Sequence, residues 1–370
     1  MRRGLFGLLV GTLALAHPVP AAPLHAAPAR HIVLVTIDGT RTEEIFGGLD
    51  ASALASVTEH GDIKDTRPYK LYGADTPEAR RARLMPFLWN TLVATQGSIA
   101  GDRARGSKFG VANMQRFSYP GYAELLTGAP HDDTITSNDN RRYPYLTVLE
   151  FLRASMGLPV EKVAVFGSWE TFNYISSHEE GAVTVNAGYS AYASDDPAIQ
   201  ALSREQFDAT LATDSARHDA FTYRFAFDYL KRVRPAVLYI AFDETDDWAH
   251  EHQYARVLDA LHRTDGYLKE LWTWLQADPE YRDNTVLLVT VDHGRGHTPT
   301  DWSDHGEKVV RANETWMLAV GPDWPRRGEW VNAPDGLTSQ IAATLAKAVG
   351  QDFRSAVPDA GAPLDYLWQH

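Results

Sequence analysis

Three apolar runs in this chain each end in an aspartate. HIVLVTI leads to Asp38 in TIDGTR, AVLYIAF to Asp243 in FDETDDWAH, and TVLLVTV to Asp292 in VDHGRGH. The second segment sets Asp246 in a DxxxH spacing with His250, and the third sets His293 and His297 beside Asp292. One more histidine, His305, lies in SDHGE. Taken singly, Asp38-Gly39 reads equally as a turn, the Asp243–Asp247 run as an acidic loop capping the next helix, and His305 as a surface residue. The Asp292-His293-Gly294 sequence is more specific, since a strand-terminal Asp-His pair brings a carboxylate and an imidazole to one ion. The conjunction outweighs the separate explanations. In an open α/β sheet the strand ends share an edge, and ligands bind there.

The chain has no cysteine, which excludes disulfides, thiolate nucleophiles and thiolate ligands. A metal must therefore be held by carboxylates and imidazoles, and 14 histidines are available. Such a donor set suits two divalent ions, Zn²⁺ in first place and Mn²⁺ in second. Two ions about 3.5–4 Å apart can activate a nucleophile and stabilise a leaving oxygen in an in-line displacement. The segment FSYPGYAELLTG (117–128) supplies a nucleophile that needs this help. Ser118 heads a helix with Pro120 in its first turn, a position that suits a capping residue and an anion-binding serine alike. Metal coordination would ionise its hydroxyl without a histidine base.

These groups need a scaffold that gathers strand ends. Val/Ile/Leu-rich runs without alternation at 31–37, 162–167, 236–242, 285–291 and 316–321 predict parallel strands covered on both faces. Helices are expected at 83–95, 118–127, 147–156, 217–232, 253–276 and 337–349. Alternating strands and helices predict a three-layer α/β/α sandwich around a mostly parallel sheet. Residues 30–370 read as one catalytic domain, with peripheral insertions near 47–80 and 170–215 that are polar, Gly-rich and Tyr-rich. At the N-terminus, Arg2-Arg3, the apolar run 4–16 and a Pro/Ala-rich stretch to Ala29 read as a secretory signal peptide, so a periplasmic or secreted protein is expected. No later stretch has the ~20 apolar residues of a membrane span. The net charge of −13, without a long basic run, argues against binding a nucleic-acid polymer.

In kind and in order, these segments resemble the alkaline phosphatase superfamily: a first strand ending in Asp, a nucleophile heading a helix, a DxxxH segment, a DHG segment and a late His. SYPGYAELLTG is similar to the nucleophile segment of its sulfatases and phosphodiesterases, where the nucleophile precedes x-Pro and lies nine residues before the Thr of Leu-Thr-Gly; counting back from Thr127 reaches Ser118. The resemblance covers most of 31–322 and implies two metal sites. Asp38, Ser118, Asp292 and His293 would hold one ion, and Asp246, His250 and His305 the other. His297 and Asp243 stand as alternatives to His305 and Asp246. Sulfatases carry Arg four positions after the nucleophile, where this chain has Tyr122. Nucleotide pyrophosphatase/phosphodiesterases carry a phosphate-binding Asn about twenty residues on, close to Asn138. Asn138 and Arg141, with Arg142 beside it, are candidate substrate-binding residues, and Trp248, Tyr254 and Trp302 candidate pocket aromatics. The resemblance thus implies a hydrolase of small-molecule phosphoric esters acting through phosphoserine. A phosphomutase of the phosphoglycerate mutase or phosphopentomutase type is the alternative, followed by a sulfatase-like hydrolase and a non-catalytic binding protein.

Overall fold

A computed structural model describes Met1 and residues 30–211 and 215–369, so the expected leader lies, but for Met1, outside the described residues. In chain order the main strands are β1 (His31–Ile37), β2 (Ser98–Ala100), β3 (Val163–Gly167), β4 (Thr184–Ala187), β5 (Val237–Phe242), β6 (Thr285–Thr290), β7 (Met317–Val320) and β8 (Gly328–Glu329). They form one sheet in the order β8-β2-β7-β6-β1-β5-β3-β4. All neighbours are parallel except those involving β7, which runs against β2 and β6.

The apolar runs bury both their faces. Val33, Val35 and Ile37 of β1 belong to one core cluster, while Ile32 and Leu34 belong to the other. The helices that cover these faces are α1 (Ser118–Thr127), α2 (Val148–Ser155), α3 (Asp219–Val233), α4 (Glu244–His250), α5 (Tyr254–Ala277) and α6 (Ile341–Ala348). Phe225 and Leu230 of α3 pack with Leu258 and Leu261 of α5 on one side. Leu125 and Leu126 of α1 pack with Leu152 of α2 and Leu345 of α6 on the other. Each fully buried Leu of this kind contributes about 1.5–3 kcal/mol. The result is a three-layer α/β/α sandwich.

The register explains why the strand-end acids meet. Ile37 lies beside Phe242, and Thr36 beside Thr290. Asp38 and Asp243 therefore leave the sheet side by side, and Asp292 leaves level with Asp38. The Asp38 N–H still bonds to the Phe242 carbonyl at 3.0 Å.

Three sequence expectations need correction. The run 316–321, expected as a parallel strand, forms β7, which is antiparallel to both its neighbours, because the chain returns from the end of β6 without a crossover helix. The helix expected over 83–95 is broken. One helix, Pro77–Leu84, ends before Met85, and a wide-turned helix runs from Leu88 to Gln96. Pro86 lacks an N–H and disfavours helical backbone at Met85, whose φ/ψ is −128°/70°. The Asp265 carboxylate of α5 then caps the second piece by accepting from the Phe87 and Leu88 N–H groups at 2.8 and 2.7 Å. The region 170–215 is also more than peripheral loop: it supplies edge strand β4, paired parallel to β3, and a helix at Pro197–Glu205. Among the described residues no helix is long and apolar enough to cross a membrane.

Candidate active site

Ser118 is the first residue of α1, and Phe117 occupies the cap position with extended backbone. The cap position thus holds a phenylalanine with no cap to offer, and the serine hydroxyl meets His293 Nε2 at 3.4 Å, so the capping role left open by the sequence falls elsewhere. Asn138 takes it, its Oδ1 accepting the Tyr119 N–H at 2.9 Å. Helix α1 lies hard against the end of β6. A Cβ on Gly121 would come within 2.4 Å of the Asp292 carbonyl oxygen, so only glycine lets the serine-bearing turn approach the acids. The buried Glu124 fixes the same helix from below, accepting from the N–H groups of Ala112, Asn113 and Ser339 at 2.8–3.0 Å.

His293 is the hub. Its Nδ1 donates to the Gly294 carbonyl at 3.0 Å, which leaves Nε2 as the lone-pair nitrogen. Around Nε2 stand Asp292 Oδ2 at 3.3 Å, Asp38 Oδ1 at 3.4 Å, Ser118 Oγ at 3.4 Å and Asp246 Oδ1 at 3.8 Å. A second cluster adjoins it: Asp246 Oδ2 and His305 Nε2 each lie 3.0 Å from His250 Nε2. Among the described residues two groups have the spacing to hold an ion, Asp38–Asp246–His293 and Asp246–His250–His305, and they share Asp246.

The donor set fits divalent cations. Asp38 Oδ1 and Asp292 Oδ2 are buried with no hydrogen-bond partner, and both face the Nε2 lone pair. Buried acceptors facing one another without a donor are costly unless a cation lies between them. The titration shifts express the same conflict. Burial, reinforced by the charge of Asp292, pushes Asp38 up to about 8. Burial likewise pushes Asp292 up to about 7 and lowers His293. His305 is lowered by burial and then by neighbouring His293 and Arg295.

Other residues hold these candidate ligands in place. Gly39 turns the chain after Asp38 with φ +57°, and a Cβ there would lie 2.5 Å from Asp246 Oδ1. Tyr122, noted in the sequence only for not being Arg, donates its hydroxyl to Asp38 Oδ2 at 2.8 Å. Arg295 was missed altogether. Its buried guanidinium reaches the Asp246 side chain and the Ser303 carbonyl, and Nη2 also donates to the Asp246 carbonyl at 3.3 Å. Burial lowers it to about 10. The Arg of DHGRGH gave no signal beyond lying between two histidine segments, and an arginine there reads by default as a surface residue.

The remaining candidates separate. Asp243 is buried at the start of α4, and burial followed by the charge of Asp247 raises it well above the carboxylate range. It belongs to neither potential metal group, and neither does His297, which lines a different cavity with Arg80 and Arg311. Arg142 is occupied in the scaffold, donating to the Ser177 carbonyl at 2.9 Å. The Arg141 guanidinium is exposed and lies 5.1 Å from the Tyr143 ring centroid. Tyr254 bonds Glu44 at 2.8 Å and Trp302 bonds Ser56 at 3.1 Å, so both serve packing, whereas Trp248 lines a cavity on the far side of α4.

A serine at a helix N-terminus, facing clustered carboxylates and imidazoles on the C-terminal edge of a parallel sheet, has the layout of a metal-dependent hydrolase of the alkaline phosphatase superfamily. Residues 159–359 match the family type I phosphodiesterase / nucleotide pyrophosphatase, and the chain belongs to that family. The matched span holds Asp246, His250, Asp292, His293 and His305, while Asp38 and Ser118 precede it. No curated protein matches the sequence. The fold is similar to phosphonate monoester hydrolase SpPMH from Silicibacter pomeroyi, with TM-score 0.54 and 14% identity, covering 91% of this chain and 76% of that one. It is also similar to BT1596, a 2-O GAG sulfatase, with TM-score 0.54 and 15% identity over 92% and 74% of the two chains. A mutant of alkaline phosphatase PafA gives TM-score 0.52 and 10% identity over 92% and 99%.

Proposed function

We propose that this chain is an exported phosphoric ester hydrolase that works through a phosphoseryl intermediate on Ser118. The observation that carries the reading is the convergence of Asp38, Asp292 and Ser118 within 3.4 Å of His293 Nε2. Asp38, Ser118, Asp292 and His293 would hold one ion and Asp246, His250 and His305 the other, Zn²⁺ in first place and Mn²⁺ in second. Bound there, the two ions would supply the charge that ionises the serine and offsets charge on the leaving oxygen.

The chain's own groups do the rest. Ser118 Oγ attacks phosphorus in line, the bond to the ester oxygen breaks and the alcohol departs. Ser118 heads α1, and the positive end of that helix favours the negative charge of the phosphoryl group there. Because Asn138 spends its Oδ1 on the Tyr119 N–H, its amide nitrogen is free to donate to one of those oxygens. Arg141, exposed and three residues beyond Asn138, is the candidate cation for the phosphate. Water then attacks the phosphoserine, freeing phosphate and restoring the hydroxyl.

Tyr122 favours phosphorus over sulfur: the position where sulfatases carry Arg is filled by a phenol committed to Asp38. Export rests on the N-terminal sequence alone. The discriminating experiment compares zinc-loaded enzyme on aryl phosphate monoesters, aryl phosphate diesters and aryl sulfates, with inorganic phosphate measured. Turnover of a phosphate ester that exceeds that of the sulfate by orders of magnitude supports the reading. Isomerisation of a sugar phosphate without phosphate release would replace it with the mutase.

A further inference from the structure

Helix α4 has two working faces. Asp246 and His250 form one i,i+4 pair, joined at 3.0 Å. Glu244 and Trp248 form another, the indole Nε1 donating to Glu244 Oε2 at 3.3 Å. The pairs are offset by two residues, slightly more than half a turn, so they lie on opposite sides of the helix. Behind the Glu244–Trp248 face is a cavity of about 660 Å³ between α4 and the starts of α3 and α5. None of its lining residues is a candidate metal ligand.

The cavity wall is apolar and its rim is cationic. Phe221 and Trp248 present ring surface, with alanines between them. Three arginines line it, Arg67, Arg256 and Arg263, against two carboxylates, Glu244 and Asp259. Arg67 is paired with Asp259 at 2.7 Å, and Arg263 bonds Glu244. Arg256 differs. Among the described residues its side chain has no ion pair or hydrogen bond, and its guanidinium lies 4.4 Å from the Trp248 ring centroid. An exposed guanidinium over an indole, with no carboxylate partner, keeps its N–H groups available for an anion.

We propose that this cavity is a second ligand site, taking a small aromatic anion whose ring packs against Trp248 and whose carboxylate or phosphate is bound by Arg256. The assignment stands apart from the catalytic reading, since it needs neither a metal nor Ser118. The two sites share helix α4 as a wall.

The test uses full-length, metal-loaded enzyme and 1-naphthoate as probe, with neutral 1-naphthalenemethanol as the isostere, followed by calorimetry. Arg256→Gln is the variant, because Arg256 is exposed and its loss leaves the fold and the hydrolytic residues untouched. One molecule of naphthoate binds the wild type, and both R256Q and the neutral isostere weaken binding about tenfold or more, as expected for loss of a charge-assisted hydrogen bond. Turnover of an aryl phosphate is the same in both proteins. Absence of naphthoate binding, or equal binding by R256Q, overturns the proposal. So does binding that R256Q retains and metal chelation abolishes, which puts the probe on the catalytic ions.

Discussion

Arg295 and Asp246 are joined in the protein interior, the guanidinium donating to both the side chain and, at 3.3 Å, the backbone carbonyl of the aspartate. Asp246 belongs to both potential metal groups, so Arg295 fixes the residue on which the two sites meet. It does not touch the reacting atoms; it is a positioning residue. Residues that orient metal ligands typically carry about 10–100-fold in metal affinity. Arg295→Met should lower zinc affinity by that order, measured by chelator competition, with Arg295→Lys in between. Wild-type affinity in Arg295→Met would remove Arg295 from the site's support.

Tyr122→Phe deletes the hydroxyl that donates to Asp38 Oδ2. A buried hydrogen bond to a charged group is worth about 1.5–3 kcal/mol, so metal affinity and turnover should fall about tenfold or more while the fold persists. Zinc titration and steady-state kinetics on one aryl phosphate check this. An unchanged zinc affinity would show that the phenol does not serve Asp38.

Asn138 has two separable uses. Its Oδ1 caps α1 at Tyr119, and its amide nitrogen is proposed to meet the phosphoryl group. Asn138→Asp keeps an acceptor for the cap and removes the donor, so thermal stability should hold while kcat/KM falls. Asn138→Ala should lose both, with about 0.5–2 kcal/mol of stability gone. Equal kcat/KM in wild type and Asn138→Asp would confine Asn138 to capping.

Metal uptake should release protons at neutral pH. Without an ion, burial raises Asp38 to about 8 and Asp292 to about 7, so both sites retain protons that a cation must displace. The sign for stability follows. Both carboxyls have folded values above their unfolded ones, so between about pH 4 and 8 the folded metal-free protein binds more protons than the unfolded chain. Its stability is therefore highest below that window and falls as pH rises through it. The melting-temperature gain from zinc should accordingly grow from pH 6 to 8. Calorimetry of zinc binding in buffers of different ionisation enthalpy measures the protons, and no release at pH 7 would contradict the assignment.

The long strands were legible because covering both faces of a parallel sheet demands uninterrupted apolar runs, and β1, β5 and β6 have them. Their closing aspartates were legible for the same reason. The short strands at one end of the sheet were not: Ser98–Ala100 and the edge strand Gly328–Glu329 are defined by their pairing partners, with too few residues to show a period. The break at Met85 was missed because the apolar pattern continues across Pro86. Within the site, residues that offer ligand atoms announced themselves by type and spacing. Those that orient them, Arg295 and the hydroxyl of Tyr122, act through contacts made across the fold, which spacing along the chain does not encode. Ser118 lies between these cases. Its segment was readable, but its release from capping depends on Asn138 arriving from a separate loop.

The central claim is that Ser118 carries the phosphoryl group, and trapping that group tests it most directly. Zinc-loaded enzyme is mixed with an aryl phosphate ester, quenched in acid within the turnover time, digested and analysed by mass spectrometry. One phosphoryl group is expected on the peptide containing FSYPGYAELLTG, located at Ser118, and none in Ser118→Ala, whose turnover falls about 10³-fold or more. Full turnover by Ser118→Ala, or phosphate trapped on any other residue, would contradict it.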